Sequence, residues 1–211
     1  MFYTKVKSQQ LTSNVIGVTP AGTAAVNSFV TNLGGTEIKG LELDGSLLIT
    51  ERWEAQATFS WIDSKIETFL DNNQANLFSL NGAFSPRTPK YQASLASSYK
   101  GEFGNGLGWR VSGDVSYEGK KYGQVDNLRQ TPAHVYVGAR YIVSGDNWDI
   151  TLWGKNLLDD DGPVDILRYV DLRGITPATL STPAFGGVTP RGFVLSLPKS
   201  RQIGVTGVYK F

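Results

Sequence analysis

The sequence predicts an all-β protein made of about eight antiparallel, up-and-down strands. Two observations carry this prediction. Apolar side chains recur at every second position in separate segments, and a β-strand sends successive side chains to opposite faces. Short turn-like connections between these segments alternate with long ones. No segment has a convincing helical period, so we expect each one to be a strand with an apolar face and a polar face.

The segment 53–61, with the sequence WEAQATFSW, shows the alternation most clearly. Its apolar parity holds Trp53, Ala55, Ala57, Phe59 and Trp61, and its polar parity holds Glu54, Gln56, Thr58 and Ser60. The same pattern predicts further strands at 2–9, 41–49, 91–100, 107–118, 133–143, 148–155 and 202–211.

The connections between these strands differ in length in a regular way. Short ones are predicted at 50–52, 101–108 and 144–147, two of them with the hairpin-turn dipeptides Asn105-Gly106 and Gly145-Asp146. Long connections are predicted at 11–36, 70–88, 119–131 and 158–199. Short and long connections therefore fall at opposite ends of the sheet, which is typical of transmembrane β-barrels with short periplasmic turns and long extracellular loops.

Aromatic residues on the apolar parity favour lipid over a soluble core as the partner of that face. Three strands carry aromatic pairs eight residues apart, and this spacing covers roughly 20 Å of membrane normal in a tilted strand. The predicted membrane-interface aromatics are Trp53, Trp61, Tyr91, Tyr99, Trp109, Tyr117, Tyr141 and Trp148. A large soluble sandwich with one wet face is the alternative, but its core would not need aromatics at matched heights.

The polar parity carries charges along its whole length, which suits a water-filled lumen better than a dry core. The candidate lumen residues are Arg110, Asp114, Glu118 and Arg140, with Lys155 as a further charged position. Each could touch a solute. For any one of them, solvation of the wall and pairing across strands is the simpler explanation.

Composition and motifs give no support for an enzyme, a cofactor or a metal site. The net charge of +1 gives no support for nucleic-acid binding, and the absence of cysteine excludes a disulfide or thiolate site. His134 is the single histidine, and no nucleophile motif accompanies it.

A conceivable Ca²⁺ site consists of Asp159, Asp160, Asp161 and Asp165. Their spacing is not that of an EF-hand, and a solvated acidic loop is the simpler interpretation. The run GNGLG at 104–108 is expected to be a hairpin turn rather than a phosphate loop, because no helix follows it.

Three stretches together resemble the C-terminal barrel portion of a TonB-dependent outer-membrane receptor. They are EIKGLELDGSLLITERWEAQATFSWIDSKI at 37–66, WGKNLLDDD at 153–161 and the terminal RQIGVTGVYKF at 201–211. The residues that carry the resemblance are Lys39, Gly40, Glu42, Asn156, Leu157, Asp159 and Phe211. The continuation DDDGPVD departs from the more basic or aromatic sequence that is common at this place in the family.

This resemblance implies a receptor in the outer membrane of a Gram-negative bacterium, not an enzyme. Such receptors have a barrel of about 22 strands closed by a plug, and they import siderophores, cobalamin or oligosaccharides. The implied partners are outer-membrane lipid, the nutrient ligand, TonB through an N-terminal part, and the assembly machinery through Tyr209 and Phe211 of the last strand. Residues 1–211 are expected to be one piece of the barrel, with the plug domain and signal peptide outside this sequence.

A second interpretation stays open at this point. About eight strands suffice to close a small barrel, so the chain could be a complete outer-membrane barrel with a structural or adhesive role.

Overall fold

The computed structural model describes residues 1–8, 10–18, 24–32, 34–68, 70–71, 78–79, 81–125, 127–170 and 191–211. Within these ranges the regular structure is β-strand throughout. No helix of the described residues is long and apolar enough to cross a membrane. The strands are β1 (Phe2–Lys7), β2 (Gln10–Val18), β3 (Ala24–Asn32), β4 (Gly35–Thr50), β5 (Trp53–Thr68), β6 (Leu70–Asp71), β7 (Phe78–Ser79), β8 (Tyr91–Glu102), β9 (Gly108–Glu118), β10 (His134–Ser144), β11 (Trp148–Lys155), β12 (Asp165–Val170), β13 (Arg191–Ser196) and β14 (Gln202–Tyr209).

Eight of these strands form one antiparallel sheet in the order β1-β4-β5-β8-β9-β10-β11-β14. Each of the eight predicted segments overlaps one strand of this sheet, and neighbours in the sheet follow one another along the chain apart from the interposed short hairpins. The prediction of an all-β, up-and-down architecture is confirmed. The sheet is open in the described residues, with β1 and β14 at the two ends of the order.

The short connections lie together at what we call the inner end of the sheet. Between β8 and β9, the Phe103 N–H donates to the Leu107 carbonyl at 2.8 Å, and Gly106 has a φ of 81°. Between β10 and β11, the Gly145 N–H donates to the Trp148 carbonyl at 2.8 Å. The GNGLG run is therefore a hairpin turn, as predicted, and its glycine supplies the left-handed conformation that the turn needs.

The opposite, outer end holds the long connections, and two of them contain strand pairs that were not predicted. The segment 11–36 contains most of the β2–β3 hairpin, and the segment 158–199 contains the β12–β13 pair. The two strands of each pair bond to one another and not to the eight-stranded sheet, so these pairs lie outside the pattern used for the prediction. Residues 19–23, 33, 72–77, 80, 126 and 171–190 of the predicted connections lie outside the described residues.

Strand β1 occupies only the outer end of the sheet. It pairs with Gly35–Gly40, while β4 continues for ten more residues toward the inner end. Phe2 lies opposite Gly40, and a Cβ on Gly40 would come within 2.3 Å of the Phe2 ring, so the aromatic ring rests on the glycine. This close approach explains why a side chain is missing at position 40.

Candidate functional site

The two faces of the sheet are separated by the register of its strands. Trp53 and Ala57 of β5 lie on one face of the sheet. Ala57 is the Cα partner of Leu95 in β8, and Leu95 is the Cα partner of Val115 in β9, so the same face continues across these three strands. We call this side the apolar face and the other side the polar face. The parity predicted for the strands from β4 to β14 is preserved across the sheet because no bulge interrupts the pairings between β5 and β14.

The apolar face is exposed rather than packed against a second layer. Leu43 is 57% exposed, Leu95 is 50% exposed and Val205 is 69% exposed. The buried apolar side chains of the described residues, Ile66 and Ile166, lie at the outer end instead. A soluble sandwich would bury this face, so the alternative of a sandwich with one wet face does not fit the structure.

The predicted interface aromatics form two rows across the apolar face. In the inner row Trp53 lies opposite Tyr99, and the Tyr99 ring lies 5.7 Å from that of Trp109. In the outer row Trp61 lies opposite Tyr91. Tyr117 joins the outer row opposite Ala93, Tyr141 joins the inner row opposite Val111, and Trp148 lies opposite Tyr209 at the inner end. The matched heights follow from the direct cross-strand pairing.

The polar face carries polar residues in cross-strand rows. The outermost row that crosses from β4 to β10 consists of Glu42, Ser60, Gln92, Glu118 and His134. Nearer the inner end, Arg140 and Asp114 line a concave region of about 430 Å³ together with Glu54 and Ser112. The candidate lumen residues Arg110, Asp114, Glu118 and Arg140 therefore all lie on one face, spread over several rows rather than gathered at one point.

Two cations face each other on this polar face near the inner end. Lys100 of β8 is the Cα partner of Arg110 of β9, and both line a concave region of about 540 Å³ with Arg52, Glu102 and Asp149. Neither has an ion-pair partner among the described residues, whereas Lys5 pairs with Glu67 at 2.8 Å at the outer end. Like charges directly opposite one another destabilise a sheet unless an anion lies between them. Lys100 was not among the predicted candidates, because its cross-strand partner follows from the register alone.

Three polar side chains at the outer end form what we call the outer polar cluster, namely the buried His134 and Asn156 and the partly exposed Asp160. His134 is 1% exposed, and its Nδ1 lies 3.0 Å from Asp160 Oδ1 while its Nε2 lies 3.2 Å from the Pro163 carbonyl. The Val135 N–H donates to Asp160 Oδ2 at 3.1 Å. The cluster therefore attaches the connection after β11 to the first residues of β10.

Asn156 completes the cluster from the end of β11. Its Oδ1 accepts the Asp160 N–H at 2.9 Å, and its Nδ2 donates to the carbonyls of Asp160 and Lys199, both at 3.0 Å. Its φ of 48° is left-handed, a conformation that Asn tolerates better than most residues. Asn156 and Leu157 are among the residues that carry the family resemblance. They lie where β11 ends and a turn held by side-chain hydrogen bonds begins.

The four aspartates considered for Ca²⁺ go to different partners. Asp159 Oδ1 accepts the Arg201 N–H at 2.7 Å, Asp160 contacts His134, and Asp165 pairs with Arg87 at 3.0 Å. Asp161 is exposed. The structure therefore does not bring these carboxylates together at one point. Three of them instead form hydrogen bonds or ion pairs with other residues.

The last strand ends in two exposed aromatic residues at the inner end. Tyr209 and Phe211 have ring centroids 5.1 Å apart in an edge-to-face arrangement. Asn147 Nδ2 donates to the Tyr209 hydroxyl at 3.3 Å, and the Lys210 N–H donates to the Asn147 carbonyl at 2.8 Å. The strand end is thus joined to the β10–β11 turn.

Comparison with known proteins agrees with this architecture. The family described as "TonB dependent receptor-like, beta-barrel" matches residues 1–157. The curated protein "Probable TonB-dependent siderophore receptor PiuA" of Acinetobacter baumannii is 29% identical over 136 residues, which are 61% of this chain and 17% of PiuA.

Solved structures show the same fold at low sequence identity. The siderophore receptor PiuA from Acinetobacter baumannii has a TM-score of 0.63 at 20% identity, over 98% of this chain and 24% of that chain. The ferric yersiniabactin uptake receptor FyuA from Yersinia pestis has a TM-score of 0.69 at 17% identity, over 99% of this chain and 26% of that chain. The chain thus spans roughly a quarter of the length of these receptors. Because the family match extends over residues 1–157, the chain belongs to the TonB-dependent receptor-like β-barrel family.

Proposed function

We propose that this chain is part of the wall of an outer-membrane barrel in a Gram-negative bacterium. The observation that carries the proposal is the exposed apolar face between two rows of Trp and Tyr. Tryptophan and tyrosine favour the membrane–water boundary, where the ring is buried and the polar atom reaches water. Members of the matched family are outer-membrane proteins, which supports lipid as the partner of this face.

The polar face is then the lumen wall. Arg110, Asp114, Glu118 and Arg140 project from strands whose other face is apolar, as in barrels with a hydrated interior. Lys100 and Arg110 lie directly opposite one another on this wall, and the carboxylates of Glu102 and Asp149 line the same concave region, so the region holds charges of both signs.

The proposed activity of the whole receptor is TonB-dependent uptake of a ferric siderophore, not catalysis. The proposal is supported by its relatives, two of which are a siderophore receptor and a ferric yersiniabactin uptake receptor. These relatives also favour a transport receptor over a small structural or adhesive barrel. Cobalamin and oligosaccharides are the competing substrates, and TonB would act through parts of the receptor beyond these residues.

Spin labels on adjacent residues of the full-length receptor test the membrane assignment. Labels at Ala57 and Val111 should be accessible to oxygen and shielded from a polar nickel relaxant, because both positions are on the apolar face. Labels at their neighbours Gln56 and Ser112 should behave in the opposite way. Equal accessibility of the two members of each pair would contradict a lipid-facing sheet.

Uptake by cells tests the substrate separately. A strain lacking the full-length receptor should lose uptake of radioactive iron supplied with at least one hydroxamate, catecholate or mixed-ligand siderophore, and a TonB-deficient strain should show the same loss. Unchanged iron uptake together with lost cobalamin or oligosaccharide uptake would replace the siderophore in the proposal and leave the membrane assignment intact.

A further inference from the structure

The apolar face changes its character near the outer end of β1, β4 and β5. In the register of β4 and β5, Leu41 is the Cα partner of Trp61, and both lie on the apolar face. The next residues of that face toward the outer end are Lys39 and Asp63, which are also Cα partners. No register shift separates the two pairs, so the same face turns from apolar to charged within two residues of each strand.

The polar face changes in the opposite sense over the same stretch. Thr36, Ser64 and Ile66 belong to the parity of the polar face, and all three are buried. The ring of Phe2 rests on Gly40 on the same side. Beyond the outer aromatic row, the sheet therefore buries side chains on the side of the polar face and exposes charges on the other side.

We call this charged continuation of the apolar face the charged collar. Its members are Lys5, Lys7, Lys39, Lys65, Glu37, Asp63 and Glu67. Three of these lysines each pair with one carboxylate of the collar, as Lys5 does with Glu67 at 2.8 Å. Lys7 has no ion-pair partner among the described residues, so the collar keeps one positive charge in excess.

The paired lysines of the collar are free to exchange their partners. The side chains of Lys5, Lys39 and Lys65 are half-exposed to solvent. Ion pairs between side chains this exposed contribute little to stability, so a lysine loses little when it leaves its carboxylate. A phosphate offers more charge and more acceptor oxygens than a carboxylate, and it forms strong charge-assisted hydrogen bonds with ammonium groups.

The level of the collar in the proposed membrane determines what it meets. Trp61 and Tyr91 mark the outer edge of the apolar band. Two residues of a strand advance about 7 Å along its axis, of which roughly 5 Å lies along the membrane normal in a tilted strand. The collar therefore begins at the level of the lipid headgroups, where clustered lysines attract anionic lipids.

We propose that the charged collar binds a phosphorylated lipid of the outer leaflet. The lysines bind the headgroup phosphates, with Lys7 as the one that needs no exchange of partner, and the apolar face next to the collar binds the acyl chains. This proposal rests on the proposed membrane position of the sheet and adds the class of lipid to it.

Binding of a phosphorylated lipid to the purified full-length receptor tests the proposal. The probe is diphosphorylated lipid A, which is added to the receptor in detergent and counted per receptor molecule by native mass spectrometry. Its affinity should exceed that of the same lipid without phosphates by about tenfold, because only the phosphates pair with the lysines. Equal affinities of the unmodified receptor for the two lipids would overturn the proposal, and this comparison decides alone if variants do not insert.

Two matched double variants locate the site. Lys39→Gln with Lys65→Gln should lower the affinity for diphosphorylated lipid A about tenfold, because two phosphate ligands are lost and the freed carboxylates repel the phosphates. The affinity for the phosphate-free lipid should not change. Lys100→Gln with Lys155→Gln removes the same charge from the polar face and should change neither affinity. An equal loss in both double variants would mean that net charge, and not the collar, binds the lipid.

The spin labels at Ala57 and Gln56 separate this proposal from the membrane assignment. Unequal accessibility of the two labels, together with equal affinities for the two lipids, would refute the lipid site alone. Equal accessibility of the two labels would refute both, because the collar would then have no headgroups beside it.

Discussion

The connections at the inner and outer ends of the eight-stranded sheet are stabilised in different ways. At the inner end, short turns are held by backbone hydrogen bonds, such as the one between Phe103 and Leu107 at 2.8 Å. At the outer end, long connections are held by buried polar side chains. Thr131 and His134 are each 1% exposed and Asn156 is 9% exposed. The strands thus end in local turns on one side and in a side-chain network on the other.

This difference determines where a substitution matters. A backbone turn keeps its hydrogen bonds when an exposed side chain is replaced, whereas a buried polar side chain leaves its partners unsatisfied when it is removed. The long outer connections also have more conformational freedom to lose on ordering than the short inner turns. We therefore expect the outer end to be the more sensitive of the two.

The largest contrast is expected for Asn156→Ala. The variant removes hydrogen bonds to Asp160 and Lys199 and places an alanine at a φ of 48°. The combined loss should be about 3 kcal/mol, from unsatisfied buried groups and left-handed strain. Hydrogen exchange in peptides that cover 156–165 of the full-length receptor should become roughly a hundredfold faster.

Two controls define the origin of that effect. Asn105→Ala removes a 3.3 Å side-chain contact to the Leu107 N–H in an exposed inner turn and should change exchange by less than about threefold. Asn156→Gly tolerates the left-handed φ and should lose less than Asn156→Ala, the difference being the strain. Equal effects at positions 105 and 156 would refute the contrast between the two ends.

The inner and outer ends of the sheet also differ in how much of their structure the sequence predicts. The eight strands follow from local alternation, and the inner turns follow from dipeptides such as Asn105-Gly106, so both were predicted and confirmed. The faces agree from β4 to β14, but Phe2, Thr4 and Val6 of β1 lie opposite Gly40, Ile38 and Thr36, which places the more apolar parity of β1 on the polar face of the sheet. The outer polar cluster joins His134 to Asp160 and Asn156 to Lys199, partners 26 and 43 residues apart. Only the register of β10, β11 and β14 brings them together, so the sequence offered His134 and the aspartates as isolated candidates. The β2–β3 and β12–β13 hairpins were missed because their strands pair only with one another and lie outside the eight-stranded sheet.

A smaller contrast is expected between two glycines. A Cβ at Gly123, in the connection after β9, would lie 2.0 Å from the Ile166 carbonyl oxygen of β12, which is backbone and cannot rotate away. Gly123→Ala should therefore cost about 1–3 kcal/mol by overpacking and speed hydrogen exchange in β12. At Gly104, in the inner turn, an added Cβ meets nothing within 4 Å, so Gly104→Ala is the matched control and should be nearly neutral. Unchanged hydrogen exchange in β12 would show that the connection after β9 does not pack tightly against β12.

The smallest effect on stability is expected at the end of the last strand. Phe211 projects into solvent and contacts Tyr209 edge-to-face at 5.1 Å, a pair worth about 0.5–1.5 kcal/mol. Phe103 is a matched aromatic in an inner turn, with its ring 6.3 Å from that of Trp109. Deletion of Phe211 and the change Phe103→Ala should therefore destabilise a purified, refolded receptor by similar small amounts.

The two aromatics should differ in cells, because Phe211 is proposed to do more than anchor the strand. Before the barrel closes, the alternating side chains of β14 are an exposed strand that a partner can recognise by edge pairing. If the assembly machinery uses Tyr209 and Phe211 in this way, deletion of Phe211 should reduce the amount of receptor in the outer membrane several-fold. The change Phe103→Ala should leave that amount unaltered. The measurement is immunoblotting of outer-membrane fractions at equal synthesis rates, with refolded samples compared in parallel. Normal membrane levels after deletion of Phe211 would make this residue a plain interface anchor, equivalent to Phe103.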